Sequence, residues 1–444
     1  MDRSVPEKLL KILSAAADTV RGSGFIHVIS HYDADGISSA GIVIKALMRE
    51  GKEFRVTFLT TLDDSTFPEV ENSDAECIVM TDLGASYIEK MDALDRKIVV
   101  LDHHTPGAEA KRVIYANPHF HGIDGMKYGC GSTMACLFAV TLNERNWDLV
   151  EIAFAGIYGD KQEIDGLNAY LLDEGTERGH ILTKKGSVIP SGKLTDELFL
   201  SSEPYIRGVS GNAEGVAEIL GEAGISKDSY NSELSDDKRR KLSSLIVLRL
   251  AEQGVSADTL RNISGERYLL KDRKMDSGRF AMILDGCGRN GLMGLGAAAA
   301  CGDLRSLKTA EENEKEFRAE IVKNAAELDG RGLTQLSDIQ WFDSSRSGMT
   351  GMLCGIAMNY MGNGSKPTFG INSTEETAKV SGRATAELLS KGVDLSVALR
   401  EACKAVGGSG GGHRIASGGS FPSERKDEFI EKLNSVIAAQ ISAR

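Results

Sequence analysis

Three short apolar runs in this 444-residue chain each end in side chains that bind metal ions. Ile98-Val99-Val100-Leu101 stops at Asp102-His103-His104. Phe25 to Ser30 runs into His31-Tyr32-Asp33-Ala34-Asp35-Gly36, and Cys77 to Met80 into Thr81-Asp82. A fourth acidic group, Asp160, follows Gly156-Ile157-Tyr158-Gly159. Asp33, Asp35, Asp82, Asp102, His103, His104 and Asp160 are the residue types that hold a pair of hard or borderline divalent cations. Mixed carboxylate and imidazole donors suit Mn²⁺, with Mg²⁺, Co²⁺ or Zn²⁺ as alternatives. A carboxylate on a central strand, such as Asp82, can bridge two ions, and such a pair generates hydroxide and stabilises the leaving oxygen in phosphoryl transfer. Any one of these aspartates alone reads as a helix cap or turn residue. Their company favours a metal centre.

A second set of residues points to anions. Gly407-Gly408-Ser409-Gly410-Gly411-Gly412-His413-Arg414 lies between a predicted helix and Ile415-Ala416-Ser417-Gly418-Gly419. An isolated glycine run reads as a flexible linker; this placement instead favours backbone amides approaching an anion beside His413 and Arg414. Arg383, in Val380-Ser381-Gly382-Arg383, and Arg289, in Gly286-Cys287-Gly288-Arg289, are further candidate phosphate contacts. Tyr128, Tyr158 and Phe421 are candidate aromatic platforms for bases.

Such residues need elements to hold them. Residues 5–22 pattern as an amphipathic helix, Phe25–Ser30 as a strand and Gly36–Arg49 as a helix. Strands follow at Phe54–Leu59, Cys77–Met80 and Ile98–Leu101, with a helix near Ala85–Leu94; helices at Ser132–Leu142 and Leu149–Ile157 come next. This alternation predicts an α/β fold with a mostly parallel sheet flanked by helices, whose carboxyl edge binds ligands. From 191 to 330 the pattern is helical, with charged segments at Ala213–Leu220, Asp236–Gln253 and Glu311–Leu328. Beyond lies a smaller α/β domain, with elements at Leu336–Phe342, Gly348–Tyr360, Pro367–Ile371, Ala378–Ser381 and Leu395–Val406. The expected division is 1–190, 191–330 and 331–444.

The composition is that of a globular protein, 41% hydrophobic and 26% charged. No apolar stretch approaches the roughly 20 residues of a membrane span, and the opening residues do not read as a secretory signal. Seven scattered cysteines without a Cys-x-x-Cys pair read as reduced thiols of a cytoplasmic protein. A net charge of −12 works against nonspecific adhesion to nucleic acid, yet bound cations or a local basic groove can offset it.

The four clusters, in order, resemble the motifs of the DHH phosphoesterases, and Gly410-Gly411-Gly412-His413 resembles the signature of their associated C-terminal domain. Leu284-Asp285-Gly286-Cys287-Gly288-Arg289 is similar to a tract of archaeal RecJ-like proteins, which include the GINS-associated nuclease. Other members place the first histidine four residues before the first aspartate; His31 is two before Asp33. The resemblance implies that Asp33 and His31 bind one metal, that Asp82 bridges, and that Asp35, His103 and Asp160 complete the second. It implies that His104 faces the scissile phosphate, as hydrogen-bond donor or acid, and that Asp102 orients the imidazoles. Arg383, Gly411, Gly412, His413, Arg414 and Arg289 would hold substrate phosphates.

The activity so implied is a two-metal exonuclease on single-stranded DNA or RNA in replication or repair. Alternatives are a phosphodiesterase of short oligonucleotides or cyclic dinucleotides, and a replisome scaffold that partners GINS with residual or regulated nuclease activity.

Overall fold

Strands β1 (Phe25–His31), β2 (Glu53–Leu59), β3 (Cys77–Thr81), β4 (Lys97–Leu101) and β5 (Ile114–Ala116) form one sheet, all parallel, in the order β2-β1-β3-β4-β5. The computed structural model describes residues 3–344 and 347–442. β3 and most of β4 are buried on both faces, as the continuous runs Cys77-Ile78-Val79-Met80 and Ile98-Val99-Val100-Leu101 require of strands covered by helices on either side. The helices Glu7–Arg21, Ala34–Arg49, Gly131–Leu142 and Val150–Gly159 contribute their apolar residues to one core cluster; Ile29, Ile78, Met80, Ile98 and Val100 belong to a second. Crossovers on opposite sides of β1 make the β2-β1-β3 junction a topological switch point, where an open sheet leaves a crevice.

The chain divides into two compact units, each discontinuous in sequence: 1–185 with 266–314, and 186–265 with 315–444. The α/β class, the parallel N-terminal sheet, the helical middle and the C-terminal sheet domain are as the sequence patterning predicts. Residues 191–330 are shared between the two units. A three-stranded antiparallel sheet, β6 (Ile181–Lys184), β7 (Arg267–Leu270) and β8 (Met275–Asp276), returns the chain to the first unit. The charged helices of 186–265 have an apolar face: Leu242, Ile246 and Leu250 are buried with Phe317, Ile321 and Tyr360 in a core of the second unit.

The second unit also holds a mixed sheet of β9 (Thr334–Gln335), β10 (Gln340–Asp343), β11 (Thr368–Asn372), β12 (Thr377–Arg383), β13 (Ser409–Gly412) and β14 (Ala416–Pro422), in the order β13-β14-β12-β11-β10-β9. The glycine tract is therefore not a flexible linker: its residues Ser409–Gly412 form edge strand β13, paired with Ser417–Ser420 of β14. Its lack of side chains admits the helix Leu395–Ala405, because a Cβ on Gly410 would stand 2.7 Å from the Leu399 carbonyl oxygen.

Among the described residues no helix is long and apolar enough to cross a membrane. All seven cysteines are free thiols, six of them buried.

Candidate metal centre

Register builds the site. Ser30 of β1, Thr81 of β3 and Leu101 of β4 lie in one row across the sheet, so His31, Asp82 and Asp102 leave three adjacent strands side by side at the carboxyl edge. The Thr81 hydroxyl donates to Ser30 Oγ (2.7 Å) and Ser30 Oγ to the Gly36 carbonyl (2.7 Å), which pins the first loop to the central strand. Asp33 caps the helix Ala34–Arg49 by accepting the Gly36 amide, and Asp35 lies in that helix's first turn. Asp82 sits just past β3 with φ 55°, an uncommon conformation for a non-glycine residue and one that turns its carboxylate into the cluster.

His31 Nδ1 is 3.0 Å from Asp33 Oδ2 and 3.4 Å from Asp82 Oδ2. His103 Nε2 is 3.2 Å from Asp82 Oδ1, 3.4 Å from Asp160 Oδ2 and 4.0 Å from Asp35 Oδ2. Three overlapping groups of metal-ligating atoms result: His31, Asp33 and Asp82; Asp35, His103 and Asp160; and Asp82, Asp102, His103 and His104. Asp82 touches both histidines and stands between the first two groups.

Supporting contacts fix these side chains. His103 Nδ1–H donates to the Gly125 carbonyl (2.9 Å), which turns Nε2 toward the carboxylates. Gln162 Nε2 donates to the same carbonyl (2.8 Å). Asp35 accepts the Gly131 and Ser132 amides (2.7 and 2.9 Å) at the N-terminus of the helix Gly131–Leu142. A Cβ on Gly156 would fall 2.3 Å from Asp35 Oδ1, so only glycine there permits this approach. Asp102 accepts the amides of Ala85, His103 and His104 together with His104 Nδ1.

Electrostatics show what the cluster lacks. Burial pushes the Asp35 carboxyl up to about 6, with Asp82 adding to it. Asp160 is driven well above the carboxylate range by burial and then by Asp35. Burial opposes ionisation of Asp82 as well, but the facing imidazoles of His103 and His31 hold it low. Burial also works against charge on His31, which its two aspartates nevertheless push up to about 12. His31 Nδ1 is buried between two carboxylates and out of hydrogen-bonding alignment with either. Among the described residues no lysine or arginine makes an ion pair with Asp33, Asp35, Asp82 or Asp160. Crowded, buried carboxylates whose charge is neutralised only by protons and imidazoles, on oxygen and nitrogen donors, fit divalent cations.

All eight N-terminal candidates are thus gathered in the first unit, His31 among them despite its shorter spacing. Arg289 lies in the same unit, at the end of the helix Ser277–Arg289. Its Nε is held by Asp285 (2.6 Å); burial opposes its charge, and Asp285, with smaller contributions from Tyr32 and Asp33, favours it. The second unit holds the remaining candidates. Arg383 ends β12 and pairs with Ala416 of β14, whose carbonyl accepts the His413 amide; Gly411 and Gly412 lie in β13. Arg414 is exposed and bonded through Nε to Asp394 (3.1 Å). Of the candidate aromatic platforms, Phe421 is buried against Phe429 and is unavailable to a base, Tyr128 is half-buried and Tyr158 is exposed. The Gly125 carbonyl, Gln162 and the Gly131–Ser132 amides were not anticipated. Only Gly129-Cys130-Gly131, small residues opening a helix, signalled a close approach.

Comparison with known proteins follows these boundaries. Residues 25–158 match the DHH family, N-terminal domain, and residues 342–439 match the DHHA1 domain. The chain is similar to the uncharacterized protein MJ0831 of Methanocaldococcus jannaschii, 29% identical over 430 residues that span 94% of each chain. Its fold is similar to RecJ in complex with Mn²⁺ from Thermus thermophilus (TM-score 0.63, 16% identity), covering 99% of this chain and 56% of that one. It is also similar to CDC45 from Entamoeba histolytica (TM-score 0.65, 12% identity), covering 97% and 99%. This chain thus carries a match to the DHH N-terminal domain followed by a match to the DHHA1 domain, on a fold similar to that of RecJ.

Proposed function

We propose that this protein is a divalent-metal-dependent phosphodiesterase that degrades single-stranded DNA or RNA from an end. The observation that carries the reading is the convergence of His31, Asp33, Asp35, Asp82, His103 and Asp160 on one buried, negatively charged point. Asp33 and His31 would hold one ion, Asp35, His103 and Asp160 the other, with Asp82 shared; Mn²⁺ suits this donor set first, then Mg²⁺ or Co²⁺. Bound ions of this kind supply a hydroxide at neutral pH and stabilise charge on the reacting oxygens. His104 contributes the protein's own step. Its Nδ1 is tied to Asp102, and Asp102 outweighs burial to raise its pKa, so Nε2 can donate a hydrogen bond or a proton to the leaving oxygen.

Arg383, Gly411, Gly412, His413 and Arg414 of the second unit, and Arg289 of the first, are the groups we assign to substrate phosphates. The test is hydrolysis of end-labelled single and double strands with Mn²⁺ by the wild type and Asp82→Asn. Equal rates would sink the two-metal reading. A ladder of substrate lengths separates it from a phosphodiesterase of short oligonucleotides or cyclic dinucleotides, for which activity peaks at the shortest chains.

The likeness to CDC45 supports a second role, as a replisome component that binds a partner of the GINS type while retaining nuclease activity. Residues 191–265 are the proposed docking region. They supply more than half of a buried core, so the informative variants are exposed substitutions such as Leu248→Glu, read by co-purification with GINS subunits, rather than deletion.

A further inference from the structure

The helix Val150–Gly159 is buried from Val150 through Ile157 and surfaces only at its last turn. There Tyr158 is 55% exposed, two residues before Asp160 enters the metal cluster. Its ring is not a loose surface side chain. It rests on the bare backbone of Gly278, where a Cβ would stand 2.7 Å from the ring's Cζ and 3.0 Å from Cε1 and Cε2. Gly278 opens the helix Ser277–Arg289, and the other end of that helix makes a second close approach. A Cβ on Gly288 would lie 1.9 Å from the Tyr32 carbonyl oxygen, in the loop that carries Asp33. One helix therefore abuts the loop that carries Asp33, braces the tyrosine ring at one end and presents the Arg289 guanidinium at the other.

We propose that Tyr158 is the platform on which a nucleobase of the substrate stacks, and hence the residue that makes this site prefer a nucleotide-bearing diester. The proposal rests on the phosphodiesterase reading and adds its substrate recognition. A braced aromatic ring loses little freedom on binding, and a base has a flat face to offer whatever its sequence. Gly278 leaves the ring backed by main chain, so the remaining exposed surface is the part a base can cover. Placement two residues from Asp160 puts that base beside the diester being cleaved rather than at a remote site. Arg289, fixed through Nε by Asp285, suits a neighbouring phosphate with its planar fork.

The experiment compares an oligothymidylate with the same oligomer lacking its terminal bases, under Mn²⁺. Tyr158→Ala raises KM for the complete oligomer about ten-fold, with a smaller change in kcat. It changes KM for the abasic oligomer by less than half that factor, because ring and base act as one pair. Tyr158→Trp restores the complete oligomer's KM, and its added indole emission is quenched when oligothymidylate binds. An unchanged KM in Tyr158→Ala, or equal losses on both oligomers, overturns the proposal. If the wild type cleaves neither oligomer, the phosphodiesterase reading fails instead; Tyr158→Trp emission that oligothymidylate leaves unquenched then overturns the platform separately.

Discussion

Asp102 accepts the His104 Nδ1 proton at 2.8 Å while three backbone amides hold its carboxylate in place. The imidazole is thereby held in one orientation with Nε2 outward, and the carboxylate supports its protonated form. Asp102→Asn keeps the shape but removes the charge that supports the protonated ring. We expect kcat to fall about 10- to 100-fold, while Mn²⁺ affinity by calorimetry stays within a few-fold. A parallel loss of Mn²⁺ binding would make Asp102 a ligand instead.

Gln162 acts one step further out. Its side chain donates to the Gly125 carbonyl and accepts the Gly129 amide (2.8 Å each), so it braces the acceptor that orients His103. Gln162→Ala should weaken Mn²⁺ binding by about ten-fold with little loss of thermal stability. Calorimetric titration beside a thermal melt checks both halves.

Gly156→Ala tests how closely the helices must meet. The new methyl would collide with Ser132 Oγ at 2.1 Å and Asp35 Oδ1 at 2.3 Å. Overpacking of this kind costs about 1–3 kcal/mol, and here the atom pushed aside is a metal-ligand oxygen. Urea midpoint and Mn²⁺ affinity should fall together; a stable variant with intact affinity would contradict the geometry.

His27 gives the fold a pH dependence away from the metal centre. It is buried on β1, with Nδ1 beside Ser73 Oγ (3.0 Å) and Arg55, and Nε2 beside Thr57 Oγ1 (2.8 Å). Burial, then the Arg55 charge, lowers its pKa from 6.5 to about 4. Between those values the unfolded chain holds the proton and the folded chain does not, so stability falls as pH drops through the window. The loss reaches about 3 kcal/mol by its acid end. His27→Asn should flatten that part of the urea-unfolding profile between pH 7 and pH 4.

The strand ends were legible because each apolar run halts abruptly at a polar group, and parallel strands place such halts along one edge. Helix limits were less so. The expected helix near Ala85–Leu94 is reduced to Ile88–Asp92, because the Ala85 amide is taken by Asp102 and its carbonyl by Gly107. A partner distant in sequence overrode the local preference there. Gly407–Arg414 hid a strand for a similar reason. Three glycines after one serine have no alternating pattern to read, and it is the pairing with Ser417–Ser420 and the helix Leu395–Ala405 that orders them. Arg289 was noticeable only through its neighbours Gly286 and Gly288. The second of these proves to be where its helix meets the Tyr32 carbonyl.

The shared row of Ser30, Thr81 and Leu101 makes the metal centre a gauge of sheet assembly. A slip of one residue between any two of these strands moves a carboxylate by about 3.3 Å and turns its side chain to the opposite face. Compact but misregistered chains would then lack high-affinity coordination. Added Mn²⁺ should slow unfolding far more than it speeds collapse, so cation binding can be read as the last signature of a correctly zipped sheet.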